Sequence, residues 1–399
     1  MKILMVNKFL FPNGGSETYI FNLGDYLTAN GHKVEYFGMD HEMRTVGNSA
    51  NMYVSNMDFH THGLQKFLYP FKIIYSIEAR KKIKHVLEVY QPDVIHLNNF
   101  NFQLTPSILY EINAYAQKKS QYVPVVYTAH DYQLICPNHM MNIPSAKINC
   151  EKCLNGNYSN CVKHRCIHNS LTKSFFGAME GFLYRKLNTY KYIDHVICPS
   201  FFIEGKLANH PSLNGKTVTL HNFNIESEMY DQKKDNYVLY FGRFSEEKGI
   251  KTLLQVCAAL PEIPFVFAGN GPLLTLLSGL PNVRCVGFLS GGPLKDLIRK
   301  ARFSIYPSEW YENCPFSVME SQILGTPVIG ARIGGIPELI EEGITGELFT
   351  SGDPDALKEK VERLWNDQET LKHYTKNCLN KKYMTLSEYC GKLIEIYHS

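Results

Sequence analysis

Tyr237-Val238-Leu239-Tyr240-Phe241-Gly242-Arg243, with Lys248-Gly249-Ile250 five residues further on, sets the architecture of this 399-residue chain. Five apolar residues in a row read as a strand covered on both faces, since a half-exposed strand would alternate polar and apolar. Gly242 allows a tight turn at the strand end, and Ile250–Leu260 then carries a helical apolar spacing. The succession of strand, glycine turn and helix recurs on both sides of this stretch. Downstream, Phe265–Ala268, Val283–Val286, Phe303–Tyr306, Val328–Ile329 and Glu347–Phe349 read as strands. Upstream, Ile3–Val6, Val34–Phe37, Val94–Leu97, Val123–Thr128, Val196–Cys198 and Val218–Leu220 do the same. Glu17–Asn30 and Pro315–Leu324 are among the helix-length segments between them.

Strand and helix in strict alternation predict a doubly wound α/β architecture. Because a single core stops growing at roughly 250–300 residues, the architecture is expected twice, as two Rossmann-like domains facing across a cleft. The first is expected over 1–222 and the second over 237–380. The polar linker 223–236 separates them and carries Glu226, Glu228, Asp231, Lys233, Lys234 and Asp235. Residues 381–399 hold a last helical stripe, Leu386–Tyr397. Residues 136–170 have neither strand nor helix period and read as a cysteine-rich insertion in the first domain.

The net charge of +3 is too small to point to a nucleic-acid partner. No apolar run approaches the roughly 20 residues of a membrane span. Asn7 and Lys8 interrupt the opening apolar run, which reads as a buried first strand and not a signal peptide. A cytoplasmic protein with reduced cysteines is expected, with the inner face of the membrane as a place of work.

In open parallel sheets, ligands bind beyond the carboxyl ends of the strands, often at a helix start with unpaired N–H groups. Gly14-Gly15-Ser16-Glu17 occupies such a place after the first strand. In the second half, Gly242-Arg243 ends a strand and Lys248-Gly249 precedes a helix, so two cations stand where a diphosphate would need neutralising. Gly269-Asn270-Gly271-Pro272 is another strand-to-helix turn. The richest stretch is Glu312-Asn313-Cys314-Pro315-Phe316-Ser317-Val318-Met319-Glu320, with two carboxylates eight residues apart across a helix start. Carboxylates so placed can accept hydrogen bonds from vicinal hydroxyls of a sugar or ribose. Gly325-Thr326-Pro327-Val328-Ile329 and Gly334-Gly335-Ile336-Pro337-Glu338 follow.

In order and spacing this series resembles the family 4 retaining glycosyltransferases of GT-B fold, above all over Tyr237–Thr350. The resemblance implies an acceptor domain first and a nucleotide-sugar domain second, with the last helix crossing back to the first. It implies that Arg243 and Lys248 bind the donor diphosphate, that Glu320 holds the ribose hydroxyls and that Glu312 holds the transferred sugar. Asn313, Cys314, Pro315, Phe316 and Ser317 would line the donor site together with Gly14, Gly15, Gly242, Gly269 and Asn270. Thr128-Ala129-His130-Asp131 resembles the family's strand-end histidine, which places His130 near the reacting carbon. Pro315 departs from the family pattern, which usually has Gly between the two glutamates; proline supplies no N–H for sugar recognition.

The implied chemistry needs no nucleophile and no catalytic metal. A sugar leaves a nucleotide, with a UDP-sugar favoured over a GDP-sugar, and joins a glycan or lipid-linked glycan acceptor in cell-surface polysaccharide synthesis. A sugar-nucleotide epimerase on the same fold would release product without acceptor. A glycoside hydrolase needs its two carboxylates on opposite sides of the bond, which Glu312 and Glu320 do not promise. A non-catalytic scaffold would have no use for all of Arg243, Lys248, Glu312 and Glu320.

Two further features stand outside that frame. Arg80, Lys81, Lys82 and Lys84, with Lys66 and Lys72, flank apolar Phe67, Leu68, Tyr69, Phe71, Ile73 and Ile74. A second basic and aromatic helix carries Lys173, Phe175, Phe176, Met179, Phe182, Leu183 and Arg185. Such segments can lie on an anionic membrane surface. Cys150-x2-Cys153 and Cys161-x4-Cys166 have the pairing expected of a structural zinc knuckle, with Cys136, His139, His164 and His168 as nearby substitutes.

Overall fold

The computed structural model describes residues 1–56, 73–224 and 233–399. The chain divides into two compact units, Met1–His221 with Leu386–Ser399, and Asn222–Thr385.

The first unit is built on a six-stranded parallel sheet. Its strands are β1 (Lys2–Val6), β2 (Lys33–Phe37), β3 (Val94–Leu97), β4 (Val125–Thr128), β7 (His195–Cys198) and β8 (Thr217–Thr219), in the spatial order β2-β1-β3-β4-β7-β8. Ile3 pairs with Val34 on one side and Val94 on the other, so β1 sits inside the sheet and every residue from Ile3 to Val6 is buried. Strand β4 begins at Val125 because Pro124 has no N–H for the ladder; its carbonyl still accepts from Ile95. Helices Gly15–Ala29, Ile77–Tyr90, Ile108–Lys118 and Leu171–Lys186 belong to this unit, as does the closing helix Leu386–His398. That last helix is fixed by buried tyrosines: the Tyr389 hydroxyl is 2.8 Å from that of Tyr19, and the Tyr397 hydroxyl is 2.6 Å from His96 Nδ1.

Residues 136–170, which show neither strand nor helix period in the sequence, nonetheless hold regular structure. They form a short antiparallel hairpin, β5 (Asn142–Ile143) with β6 (Ile148–Asn149), and a one-turn helix, Ser159–Lys163. Elements this short hold too few residues to register a period.

The second unit is a second parallel sheet: β9 (Val238–Phe241), β10 (Phe265–Ala268), β11 (Val283–Gly287), β12 (Phe303–Tyr306), β13 (Val328–Ala331) and β14 (Gly346–Phe349). Its order is β11-β10-β9-β12-β13-β14. Val238, Phe265, Phe303 and Val328 form its core with Leu253 and Val256 of helix Ile250–Ala259 and Val318 and Met319 of helix Phe316–Ile323. Strand order reverses between β9 and β12, which lie side by side although β10 and β11 come between them in the chain. The carboxyl ends of two strands at such a reversal are where open parallel sheets bind ligands.

Candidate active site

The loops at the carboxyl ends of β9 and β12 are where the sequence motifs gather. The loop after β9 runs through Gly242, Arg243 and Lys248 to Gly249; the loop after β12 runs from Pro307 to Pro315. The two are drawn together at Gly249, whose φ of 72° is left-handed and where a Cβ would come within 1.8 Å of the Pro307 carbonyl oxygen. No other residue fits there. The Glu309 N–H donates to the Glu247 carbonyl at 2.9 Å, and the Thr252 hydroxyl donates to Glu309 Oε1 at 2.5 Å.

Within this frame Lys248 Nζ stands 2.5 Å from Glu312 Oε1. The same oxygen accepts from Ser308 Oγ at 2.8 Å and Trp310 Nε1 at 2.5 Å, and Glu312 is buried. Lys248 also reaches the Tyr306 hydroxyl at 3.4 Å and lies over the Trp310 ring, 5.2 Å from its centre. Burial, with the Glu312 carboxylate next in weight, pushes the Tyr306 hydroxyl well above its ordinary value. The Glu312 backbone is clamped as well, its carbonyl accepting from the Gly335 N–H at 2.7 Å. Ser308, Trp310 and Tyr306 were not singled out by the sequence reading; only their place at the end of β12 marks them.

The remaining motif residues fall around this pair. Arg243 is exposed at the end of β9, directly after Gly242. Gly269, at the end of β10, has φ 147°, and a Cβ there would lie 1.9 Å from the Gly242 carbonyl oxygen. Asn270 ties the two loops by accepting the Phe244 N–H on its carbonyl at 2.8 Å. Asn313 and Cys314 lead into Pro315, which takes the extended cap position of helix Phe316–Ile323. Buried Cys314 accepts from Asn222 Nδ2 on its carbonyl at 2.8 Å, the Phe316 ring meets the Phe223 ring edge-on, and Ser317 bonds the Tyr306 hydroxyl. Glu320 is half-buried, about one turn into the same helix.

The first unit has its own strand-end cluster. His130, just beyond β4, holds Nε2 2.9 Å from Asn98 Oδ1 and packs edge-on against Tyr19 with ring centres 4.9 Å apart. Burial pushes its pKa down to about 3, so the ring is neutral at any ordinary pH. Asp131 is pushed up to about 6 by burial, partly offset by the Gln133 N–H it accepts at 2.8 Å and by Lys8. His139 Nδ1 is 3.9 Å from Asp131 Oδ2, and its ring stacks on Phe102 at 4.3 Å. That contact takes His139 toward the strand end, so it is not among the thiols where it was a candidate ligand. His164 is likewise drawn off, 3.5 Å from Lys152 Nζ. At Gly14-Gly15 the helix start already has a carboxylate: buried Glu17 accepts from Asn7 Nδ2 at 2.8 Å and Ser16 Oγ at 2.9 Å.

The two basic segments differ. Lys66, Phe67, Leu68, Tyr69, Phe71 and Lys72 lie outside the described residues. Arg80 is paired with Glu111, and Lys82 with Glu78 at 2.7 Å and with the Tyr53 carbonyl; Lys81 and Lys84 are exposed. On helix Leu171–Lys186, by contrast, Leu171, Phe175, Met179 and Phe182 are all 41–59% exposed and spaced to share one face, while Lys173 and Lys186 are exposed as well. No helix among the described residues is long and apolar enough to cross a membrane. Among those residues, too, no three or more His, Cys, Asp or Glu side chains stand as a ready metal-binding group.

Family models match nearly the whole chain. Residues 13–223 match glycosyltransferase family 4 and residues 224–381 match glycosyl transferases group 1. A glycosyltransferase of uncharacterised specificity from Methanocaldococcus jannaschii is 24% identical over 340 residues, 82% of this chain and 89% of its own. A sulfoquinovosyl transferase of Arabidopsis thaliana is 37% identical over 140 residues, 33% of this chain and 27% of its own. Among solved structures, sucrose-phosphate synthase from Thermosynechococcus elongatus superposes with a TM-score of 0.71 at 18% identity, covering 100% of this chain and 98% of that one. HepE of Anabaena, in complex with UDP-glucose, does so at 0.65 and 16% identity, covering 100% and 99%. With two parallel sheets of this order and both halves matched, the chain belongs to glycosyltransferase family 4 and has the GT-B fold.

Proposed function

We propose that this glycosyltransferase transfers a sugar with retention from a nucleotide donor, a UDP-sugar before a GDP-sugar, to a glycan or lipid-linked glycan in cell-surface polysaccharide synthesis. The observation that carries the reading is the Lys248–Glu312 pair, held at the strand ends on either side of the order reversal in the second unit. The UDP-glucose complex of HepE supports the choice of base. In this reading Arg243 and Lys248 neutralise the diphosphate, Glu320 accepts from the ribose hydroxyls and Glu312 from the sugar. The glycosidic phosphate leaves on the face that the acceptor enters, and takes the acceptor's hydroxyl proton as it goes. No protein nucleophile and no catalytic metal enter these steps. Neutral His130 belongs beside the reacting carbon, where it can donate or accept a hydrogen bond without adding charge.

The exposed apolar stripe of helix Leu171–Lys186, flanked by Lys173 and Lys186, supports an anionic membrane surface as the place where a lipid-linked acceptor is met. A panel of nucleotide sugars tested by thermal shift identifies the donor, since ligand at 100 times Kd stabilises by about 2.7 kcal/mol. Glu320→Gln, which keeps the side chain's shape, should weaken the best donor about 10- to 100-fold. No shift with any nucleotide sugar, or unchanged donor affinity in folded Glu320→Gln, would remove the reading. The anomeric configuration of the transferred sugar, read by NMR, decides retention, and a reaction of donor without acceptor would point to an epimerase.

A further inference from the structure

Cys150, Cys153, Cys161 and Cys166 come from a strand end, a turn, a one-turn helix and the turn after it, yet all four line one small cavity together with Cys136. The cavity is about 10 Å³, room for roughly one atom. Its remaining lining includes Met141 and Asn142 from the hairpin and Asn160. Three of the six buried residues clustered here are cysteines, Cys153, Cys161 and Cys166, beside Ile143, Tyr158 and Ala178; Ile135, Met141 and Leu154 also line the cavity, and Val162 and Ile167 pack on the cluster. Sulfur thus occupies the place that a hydrophobic core would fill in a larger module, and a module of this size seldom holds itself together without a further tie.

The backbone adds an independent observation. Of the eleven non-glycine residues with left-handed φ among the described residues, six lie in this segment: His139, Met141, Lys147, Arg165, His168 and Asn169. Left-handed backbone is unfavourable at a residue with a Cβ, and so many in one short stretch persist only where something else fixes the chain. All eleven cysteines are free thiols, so no disulfide supplies that tie.

We propose that Cys150, Cys153, Cys161 and Cys166 bind one structural zinc ion as a tetrahedral tetrathiolate, a role separate from donor binding and sugar transfer. The thiols line one cavity but form no ready metal-binding group among the described residues, so ligation requires their side chains to turn toward a common centre. Four thiol protons pass to solvent as four Zn–S bonds form, leaving two negative charges on the site. Lys152, Lys163 and Arg165 within the same segment offset them. Cys136 is the fifth thiol and stays protonated, because its Sγ donates to Asn138 Oδ1 at 2.9 Å.

The test is elemental analysis of the full chain purified without chelator, followed by titration with a chromophoric chelator. One zinc per chain is expected, with Cys153→Ser and Cys161→Ser losing it and Cys136→Ser keeping it. Cobalt substitution, which needs no variant to fold, should give the absorption of a tetrahedral tetrathiolate. Well under one zinc per chain with none regained on adding zinc overturns the proposal. So does stoichiometric iron with a visible cluster spectrum, or loss of zinc in a folded Cys136→Ser protein. Donor binding measured on the same preparations keeps this outcome apart from that of the transferase reading.

Discussion

Lys248 Nζ and Glu312 Oε1 share a 2.5 Å contact between two loops that follow different strands, and that oxygen also accepts from Ser308 and Trp310. Three donors on one carboxylate oxygen lock its direction, so the pair is a positioned unit and not two independent surface charges. On the proposed reading, a donor diphosphate at these strand ends would meet a lysine already oriented by the glutamate.

If the two act as a unit, their removal is not additive. Glu312→Gln and Lys248→Met should each lower kcat/KM about 10- to 100-fold, equivalent to roughly 1.5–3 kcal/mol of a charge-assisted bond. The double variant should lose clearly less than the product of the two. Strictly multiplicative losses in folded proteins would show that lysine and glutamate serve the donor separately.

Much of this was legible in the sequence because it rests on long apolar runs. All twelve strands read from the sequence are present within a residue or two, since a strand buried on both faces must be apolar throughout. The Lys248 and Glu312 positions were also readable, each marked by a glycine turn or a helix start at a strand end. What escaped was set by loop conformation. Ser308 and Trp310, four and two residues before Glu312, bond its carboxylate only because the loop after β12 curls around it, and nothing in their own types or spacing says so. The hairpin at Asn142–Asn149 escaped for a different reason: two-residue strands carry no period. His139 read as a companion of the cysteines by proximity in sequence, but a left-handed backbone turn carries it to Phe102 and Asp131.

His130 is held by Asn98 and Tyr19, and burial keeps it neutral by pushing its pKa down to about 3. Turnover should therefore show no histidine-like titration between about pH 5 and 8, the range where an ordinary histidine changes charge. His130→Ala should depress kcat while leaving the affinity for free nucleotide within about threefold. A matching loss of nucleotide affinity would make the residue structural, and a kcat limb near pH 6.5 that vanishes in the variant would show that the ring ionises.

The face formed by Leu171, Phe175, Met179 and Phe182 can be altered without touching a core, because each side chain is at least 41% exposed. Vesicles rich in anionic lipid should bind the protein at low salt and release it as salt screens Lys173 and Lys186. Phe175→Ser with Phe182→Ser should abolish binding and leave Tm nearly unchanged. Failure of the unaltered protein to sediment with such vesicles at low salt ends the membrane reading.

Glu180 offers a test of the first unit's interior that is independent of any ligand. It is 3% exposed on helix Leu171–Lys186, with Oε1 buried and without a hydrogen-bond partner. Burial raises its pKa from 4.5 to about 8, so the folded protein holds a neutral acid at pH 7. The unfolded chain ionises its carboxyl from about pH 4.5 upward, while the folded chain cannot follow until about pH 8. Glu180 therefore contributes no penalty below pH 4.5; stability is lost progressively as pH rises toward 8 and levels off beyond. Glu180→Gln keeps the shape and has no proton to lose, so it should escape that loss. At pH 8 it should exceed the parent protein by on the order of 4 kcal/mol, seen as a rise of several degrees in Tm. At pH 4.5 the two proteins should melt together. A gain of equal size at both pH values would trace the effect to packing, and no gain at pH 8 would mean that the carboxylate is ionised in the fold.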